Sequence, residues 1–198
     1  MEADLMHHRV TFLALSFALL GPGRSGAQQA PAPQGPPPEA SQFDFLLGEW
    51  SVDVTSKSHG TPPRYHGVWR AAKTLNGLGM VDEYGVSDDA GRIVYAGTTL
   101  RVFDTKTATW TMRYVDELGG ATGRWSELVG VKQGSEMHVE QRGQSPDGRT
   151  TILKIRYYNI QPDHFSWSAD RSSDGGATWV PEYLRLEATR GVSTPSSK

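Results

Sequence analysis

The chain has 198 residues, 20 basic and 22 acidic side chains, and no cysteine. Near-balanced charge argues against a nucleic-acid partner, and the missing thiols exclude disulfides, thiolate metal sites, iron–sulfur clusters and a cysteine nucleophile. A chain of this length makes one domain, which must be held together by burying an apolar core.

The first residues have the layout of an export signal. A polar start contains His7, His8 and Arg9, an apolar run extends from Val10 to Leu20, and Ser25-Gly26-Ala27 offers a small-residue cleavage site. Residues 1–27 therefore read as a signal peptide. The apolar run is about half the roughly 20 residues that a membrane-spanning helix needs, so no stable membrane anchor is expected. The expected location is the periplasm or the extracellular space. Residues 28–40 contain prolines at 31, 33, 36, 37 and 38; such a segment favours extended polyproline II and reads as a disordered linker. The domain is expected over 41–190, with 191–198 as a disordered tail.

The domain opens on Phe43-Asp44-Phe45-Leu46-Leu47-Gly48-Glu49-Trp50, where a short coil passes into a strand. Trp50, Val52 and Val54 alternate there with Ser51, Asp53 and Thr55, the period-two pattern of a half-buried strand. Ten strands are predicted at about 49–59, 64–74, 79–87, 92–103, 108–116, 122–132, 135–143, 149–159, 163–171 and 178–189. Turn chemistry separates them, as in Asn76-Gly77, Asp88-Asp89-Ala90-Gly91, Gly119-Gly120, Pro146-Asp147-Gly148 and Asp174-Gly175-Gly176. Connections this short force antiparallel neighbours, and closure into a barrel removes the exposed edges. The expected fold class is all-β, a single antiparallel up-and-down β-barrel of about ten strands. Ser172-Ser173-Asp174-Gly175-Gly176-Ala177-Thr178-Trp179 matches an Asp-box, but with one copy in a chain too short for a propeller it reads as a hairpin turn.

Setting Trp50 inward sorts the strands by parity. Tyr65, Trp69, Met80, Asp82, Tyr84, Trp110, Met112, Tyr114, Trp125, Glu127, Val129, Val131, Met137, Val139, Leu153, Ile155, Tyr157, Phe165, Trp167, Leu184 and Leu186 then face the lumen. Strand 92–103 is apolar on both faces and stays unassigned. Ten strands leave room for a ligand, against the alternative of a lumen plugged by its own indoles. Trp69, Tyr84, Trp110, Met112, Tyr114, Trp125 and Trp167 are expected to line one pocket for an apolar or aromatic small molecule, with Glu127 as its buried polar group. His59, His66, His138 and His164 are scattered over separate strands, so no metal site is expected. Neither Ser126 nor Ser145 has a nucleophile-elbow context.

The opening motif and Asp174-Gly175-Gly176-Ala177-Thr178-Trp179 near the end together resemble a bacterial family of unknown function. That family is similar to the calycin superfamily, which comprises lipocalins, fatty-acid-binding proteins and haem-binding nitrobindins. The resemblance covers about 42–190. It implies a barrel that binds a small, often apolar molecule, and no shared catalysis. In lipocalins the Gly-x-Trp tryptophan closes one barrel end beneath an arginine of the last strand, which implies structural roles for Gly48, Trp50 and either Arg185 or Arg190 here; parity turns Arg185 outward and favours Arg190. In nitrobindins a histidine in a His-Leu-x-Ala-x-Leu context ligates haem; this chain has Tyr183-Leu184-Arg185-Leu186-Glu187-Ala188, and parity turns Tyr183 away from the lumen. No haem or other cofactor is expected.

The leading reading is an exported small-molecule-binding barrel. One alternative is an isomerase, cyclase or hydratase in which Glu127 or Asp82, with a raised pKa, acts beside Tyr84. A second is a plugged barrel that acts through its outer surface in an envelope assembly. A cavity lined by apolar groups favours the first, converging Glu127, Asp82 and tyrosine the second, and absence of a cavity the third.

Overall fold

In the computed structural model the described residues are 35–57, 64–145 and 147–191. The expected signal peptide, the linker up to Gln34 and the tail from residue 192 lie outside them. Ten strands follow in chain order: β1 (Gly48–Ser56), β2 (Arg64–Thr74), β3 (Gly79–Ser87), β4 (Ile93–Asp104) and β5 (Thr109–Asp116), then β6 (Ser126–Gln133), β7 (Glu136–Gln144), β8 (Thr150–Tyr158), β9 (His164–Ser172) and β10 (Val180–Arg190). Each pairs antiparallel with its neighbours in sequence, and β10 returns to β1, with Trp50 opposite Arg190 and Val54 opposite Leu186. The result is a closed ten-stranded antiparallel up-and-down barrel. The one short α-helix among the described residues, α1 (Glu117–Ala121), joins β5 to β6. The hairpin after β9 is tied by Asp174, which accepts from Ser172 Oγ, Thr178 N–H and Thr178 Oγ, while Trp179 Nε1 donates to the Gly176 carbonyl.

The segment before β1 closes one end of the barrel. Pro38–Ser41 form a 3-10 turn, for which proline's fixed φ is preorganised. Ala40 in this turn is buried, and its carbonyl accepts from Lys73 Nζ at 2.9 Å. The packed unit therefore begins before Ser41, and the expected linker over 28–40 is too long at its carboxyl end. A second 3-10 turn, Asp44–Leu46, drops Phe43 and Leu46 into the barrel end, both fully buried. Phe43 meets Trp110 and Tyr157 edge-on, with ring centroids 5.1 and 5.6 Å apart.

Trp50 completes this closure. Its Nε1 donates to the Leu46 carbonyl at 3.0 Å, its ring meets Phe165 edge-on, and the Arg190 guanidinium lies 4.0 Å over its centroid. Arg190 also donates to the carbonyls of Leu47, Phe45 and Pro162, so one side chain ties the last strand to the opening coil. Gly48 is held at φ 93°, and a Cβ there would stand 2.9 Å from Arg190 Nη1. A positive φ and this close approach together require glycine.

Strand β6 differs from its expected parity. Leu128 and Gly130 face the lumen, opposite Met112 and Trp110, while Glu127 and Val129 face outward. A Cβ on Gly130 would lie 2.7 Å from Met112 Cε and 3.1 Å from Val139 Cγ2, so the inner position carries no side chain. The alternation of Glu127, Val129 and Val131 is real, but it lies on the outer side, and Trp125 precedes the strand. The strand also starts later than expected, after α1 and a turn.

Candidate ligand-binding site

The aromatic plug fills only one end of the lumen. The rest is a cavity of about 690 Å³, and its lining includes Trp69, Asp82, Tyr84, Tyr95, Tyr114, Leu153, Ile155, Tyr157, Trp167, Arg171 and Leu186. This volume lies within the range of small-molecule pockets. At the end away from the plug, Arg124, Trp125, Gln144, Ser145 and Tyr183 complete the wall. The cavity is thus blind at the Trp50 end, and its walls are mainly indole, phenol and aliphatic groups, with Thr99, Gln141, Thr151 and Arg171 among them, projected inward by alternate residues of the strands.

A buried ion pair forms the floor. Arg101 and Asp82 are each only 2% exposed. Arg101 Nε donates to Asp82 Oδ2 at 2.6 Å, and Trp69 Nε1 donates to Oδ1 at 3.0 Å. The remaining guanidinium nitrogens reach Met112 Sδ and the Tyr157 hydroxyl, and Phe43 lies under the guanidinium plane. Burial alone would disfavour the Arg101 charge, but the Asp82 carboxylate outweighs it and holds the guanidinium pKa above its usual value. With both oxygens engaged by internal donors, Asp82 is built to hold Arg101 and Trp69 in place rather than to take a substrate proton.

A row of phenols climbs from this floor along β3, β4 and β5. Tyr84 stacks edge-on to Trp69 and to Tyr95. Tyr95 and Tyr114 share a short hydroxyl–hydroxyl hydrogen bond, and Tyr95 donates to Asp116 at 3.2 Å. Burial raises the pKa of Tyr84, Tyr95, Tyr114 and Tyr157 above the ordinary phenol value of 10. A phenol whose pKa is higher folded than unfolded contributes stability that is fully present below its unfolded pKa and is lost as pH rises through the folded value. Barrel stability should therefore fall above pH 10. In a spectrophotometric titration these four phenolates should form together with the loss of tertiary structure, and their ionisation in an intact barrel near pH 10 would contradict the burial.

The structure distributes the expected pocket residues over three places. Trp69, Tyr84, Tyr114 and Trp167 line the cavity wall, and Trp125 joins the lining from the rim, 57% exposed. Trp110 and Met112 are fully buried in the plugged end, Trp110 against Phe43 and Phe103 and Met112 against Arg101, and do not line the cavity. Glu127 is not a lumen group: its side chain is 69% exposed and pairs with Arg113 on the outer wall at 3.1 Å, a consequence of the β6 parity. Tyr183, expected to point away, lines the cavity and accepts from Arg171 Nη1 at 2.6 Å. The cause is the register shift between Val180 and Leu184 where β10 pairs with β9, with Glu182 at φ 46°.

Arg101 and Tyr95, on the strand that parity left unassigned, were missed. A signal for Arg101 existed in the sequence: an inward Asp82 demands a cation, and Arg101 is on the next strand. Among the described residues no group of three or more histidine or carboxylate side chains is arranged to hold a metal, and no helix is long and apolar enough to cross a membrane.

No family model matches the chain, and no curated protein matches it significantly. Solved structures do resemble it. The crystal structure of Rv2717c from M. tuberculosis superposes with a TM-score of 0.56 at 15% identity, covering 78% of this chain and 98% of its own. A de novo fluorescence-activating β-barrel aligns with a TM-score of 0.39 at 14% identity, over 75% of this chain and 95% of its own. A redesigned barrel, mFAP0, solved with DFHBI bound, aligns with a TM-score of 0.38 at 12% identity, over 74% and 99%. The likeness to the mycobacterial protein is one of fold, and it agrees with the closed antiparallel strand order.

Proposed function

We propose that the protein is an exported carrier or sequestering module that binds one apolar or aromatic small molecule inside the barrel. The observation that carries this reading is the blind aromatic cavity of about 690 Å³ beside a separately completed plug. A barrel that needed its lumen only for stability would have no reason to leave this volume empty, because unfilled core space costs stability. The signal-like residues 1–27 support export to the periplasm or beyond, and the opening Phe-Asp-Phe-Leu-x-Gly-x-Trp pattern supports kinship with the bacterial family it resembles.

Binding is preferred over catalysis on two observations. Glu127, the first candidate acid or base, lies on the outer wall, and Asp82, the second, has both oxygens engaged by Arg101 and Trp69. Titration with the apolar dye N-phenylnaphthylamine tests the proposal. The expected result is saturation at one dye per chain, with quenching of tryptophan emission from Trp69 and Trp167, and unchanged binding by Glu127→Gln. Absence of saturable binding would overturn it.

A further inference from the structure

The lumen reading leaves open what polar feature a ligand must carry, and proton accounting along the phenol row supplies it. Each phenol has one proton to donate. Tyr95 donates its proton to Asp116. The proton in the Tyr95–Tyr114 contact is therefore that of Tyr114, so both donors are spent within the wall. Deeper in the cavity, Asp82 is filled by Arg101 and Trp69. The Tyr157 hydroxyl accepts from Arg101 and keeps its own proton, but that side chain is only 3% exposed, packed into the floor against Phe43 and Phe165.

Tyr84 is different. It makes ring contacts with Trp69 and Tyr95, yet among the described residues its hydroxyl has no hydrogen-bond partner. Nor is that hydroxyl sealed away: among the described residues, the buried side-chain polar atom without a hydrogen bond is Asp44 Oδ1, outside the cavity lining. Tyr84 lines the cavity between the floor and the Tyr95–Tyr114 pair. Burial pushes its pKa above the ordinary phenol value, so at neutral pH it stands as a donor and not as a phenolate. A phenol donor in an aromatic wall is costly to leave unmade, and a water or a ligand oxygen must take it. Tyr65 also lines the cavity without a hydrogen-bond partner among the described residues, but it is the second residue of β2, toward the open end.

We propose that the ligand is an apolar ring system bearing a carbonyl-type oxygen acceptor, and that Tyr84 donates its hydroxyl proton to that oxygen. This rests on the reading of the lumen as a binding site. The indole of Trp69, edge-on to Tyr84, bounds the ring system on one side, and Leu153, Ile155 and Leu186 supply apolar wall.

Two dyes separate this inference from the reading beneath it. N-phenylnaphthylamine has no oxygen, whereas Prodan is a naphthyl ketone whose emission moves to longer wavelength when its carbonyl accepts a hydrogen bond. Both are titrated into the full chain, Tyr84→Phe and Tyr65→Phe. Tyr84→Phe removes a hydroxyl with no protein partner, so the barrel should fold as before, with circular dichroism as the check. The expected result is that Tyr84→Phe weakens Prodan binding roughly fivefold, the effect of one neutral hydrogen bond, and shifts bound-dye emission to the blue. N-phenylnaphthylamine affinity should change much less than Prodan affinity in Tyr84→Phe, and Tyr65→Phe should show neither the fivefold Prodan loss nor the blue shift. Equal Prodan affinity and emission in the parent and Tyr84→Phe would overturn the inference, as would a loss that follows Tyr65→Phe instead. Binding of N-phenylnaphthylamine without Prodan overturns the acceptor inference alone; binding of neither dye overturns the lumen reading as well.

Discussion

Asp82→Asn is expected to destabilise the barrel by about 3–5 kcal/mol, the usual consequence of removing one partner from a buried ion pair. The two groups are almost completely shielded from water, at 2% exposure each, so solvent cannot screen the stranded Arg101 charge. The amide fills the same space and still offers one oxygen, which separates the charge effect from packing. Much of the loss is the penalty for leaving a guanidinium unpaired and not the net worth of the pair. Replacing both residues, Asp82→Leu with Arg101→Met, should therefore recover most of the stability. Urea unfolding of the three chains is the measurement, with the midpoint shifting at constant slope. A loss below about 1 kcal/mol for Asp82→Asn would mean that water reaches the floor of the cavity.

Trp50→Ala is the second large effect, at about 3–5 kcal/mol, the range for emptying a large aromatic core site. The substitution removes the ring beneath Arg190, the edge contact with Phe165 and the donor to the Leu46 carbonyl in one step. Since Arg190 also holds the carbonyls of Leu47 and Phe45, loosening it should release the coil that carries Phe43 and Leu46 into the barrel end. Trp50→Phe keeps a ring under the guanidinium and loses the indole N–H, so it should cost less, about 1–3 kcal/mol. Equal losses for the two variants would show that the hydrogen bond, not the packed ring, secures the closure.

Much of this architecture is legible in the residues themselves. Period-two alternation in β1, β3, β5 and β8 and the short turns between them are enough to imply closure, because each strand can pair only with its neighbours. Two places resist that reading for physical reasons. In β6 the inner position opposite Trp110 has to be empty, so Gly130 erases the inward signal while Val129 and Val131 write an apolar pattern on the outer face. In β10 a register shift, invisible in the side-chain pattern, turns Tyr183 into the lumen.

The floor of the site was half legible. Asp82 declared itself as an inward carboxylate that must be paired, but its partner sits on β4, where Val94, Leu100 and Val102 make the outer face as apolar as the inner one and hide the inward set of Thr99, Arg101 and Phe103. The phenol row was split by the same uncertainty. Tyr84 and Tyr114 were visible as lumen residues, yet their connection through Tyr95 depends on that unassigned strand.

The claim that the cavity itself is the binding site is tested most directly by filling it. Leu186 is buried on β10, lines the cavity, and faces Trp167 and Val54 across the flanking strands. Leu186→Trp should place an indole in the open volume at little cost to folding, since that space is vacant. In an N-phenylnaphthylamine titration the parent chain should saturate at one dye per barrel, while the folded Leu186→Trp chain should lose binding by at least about an order of magnitude, more than 1.4 kcal/mol. Dye binding that is unchanged in a Leu186→Trp chain with native circular dichroism would place the ligand outside the barrel and contradict the account.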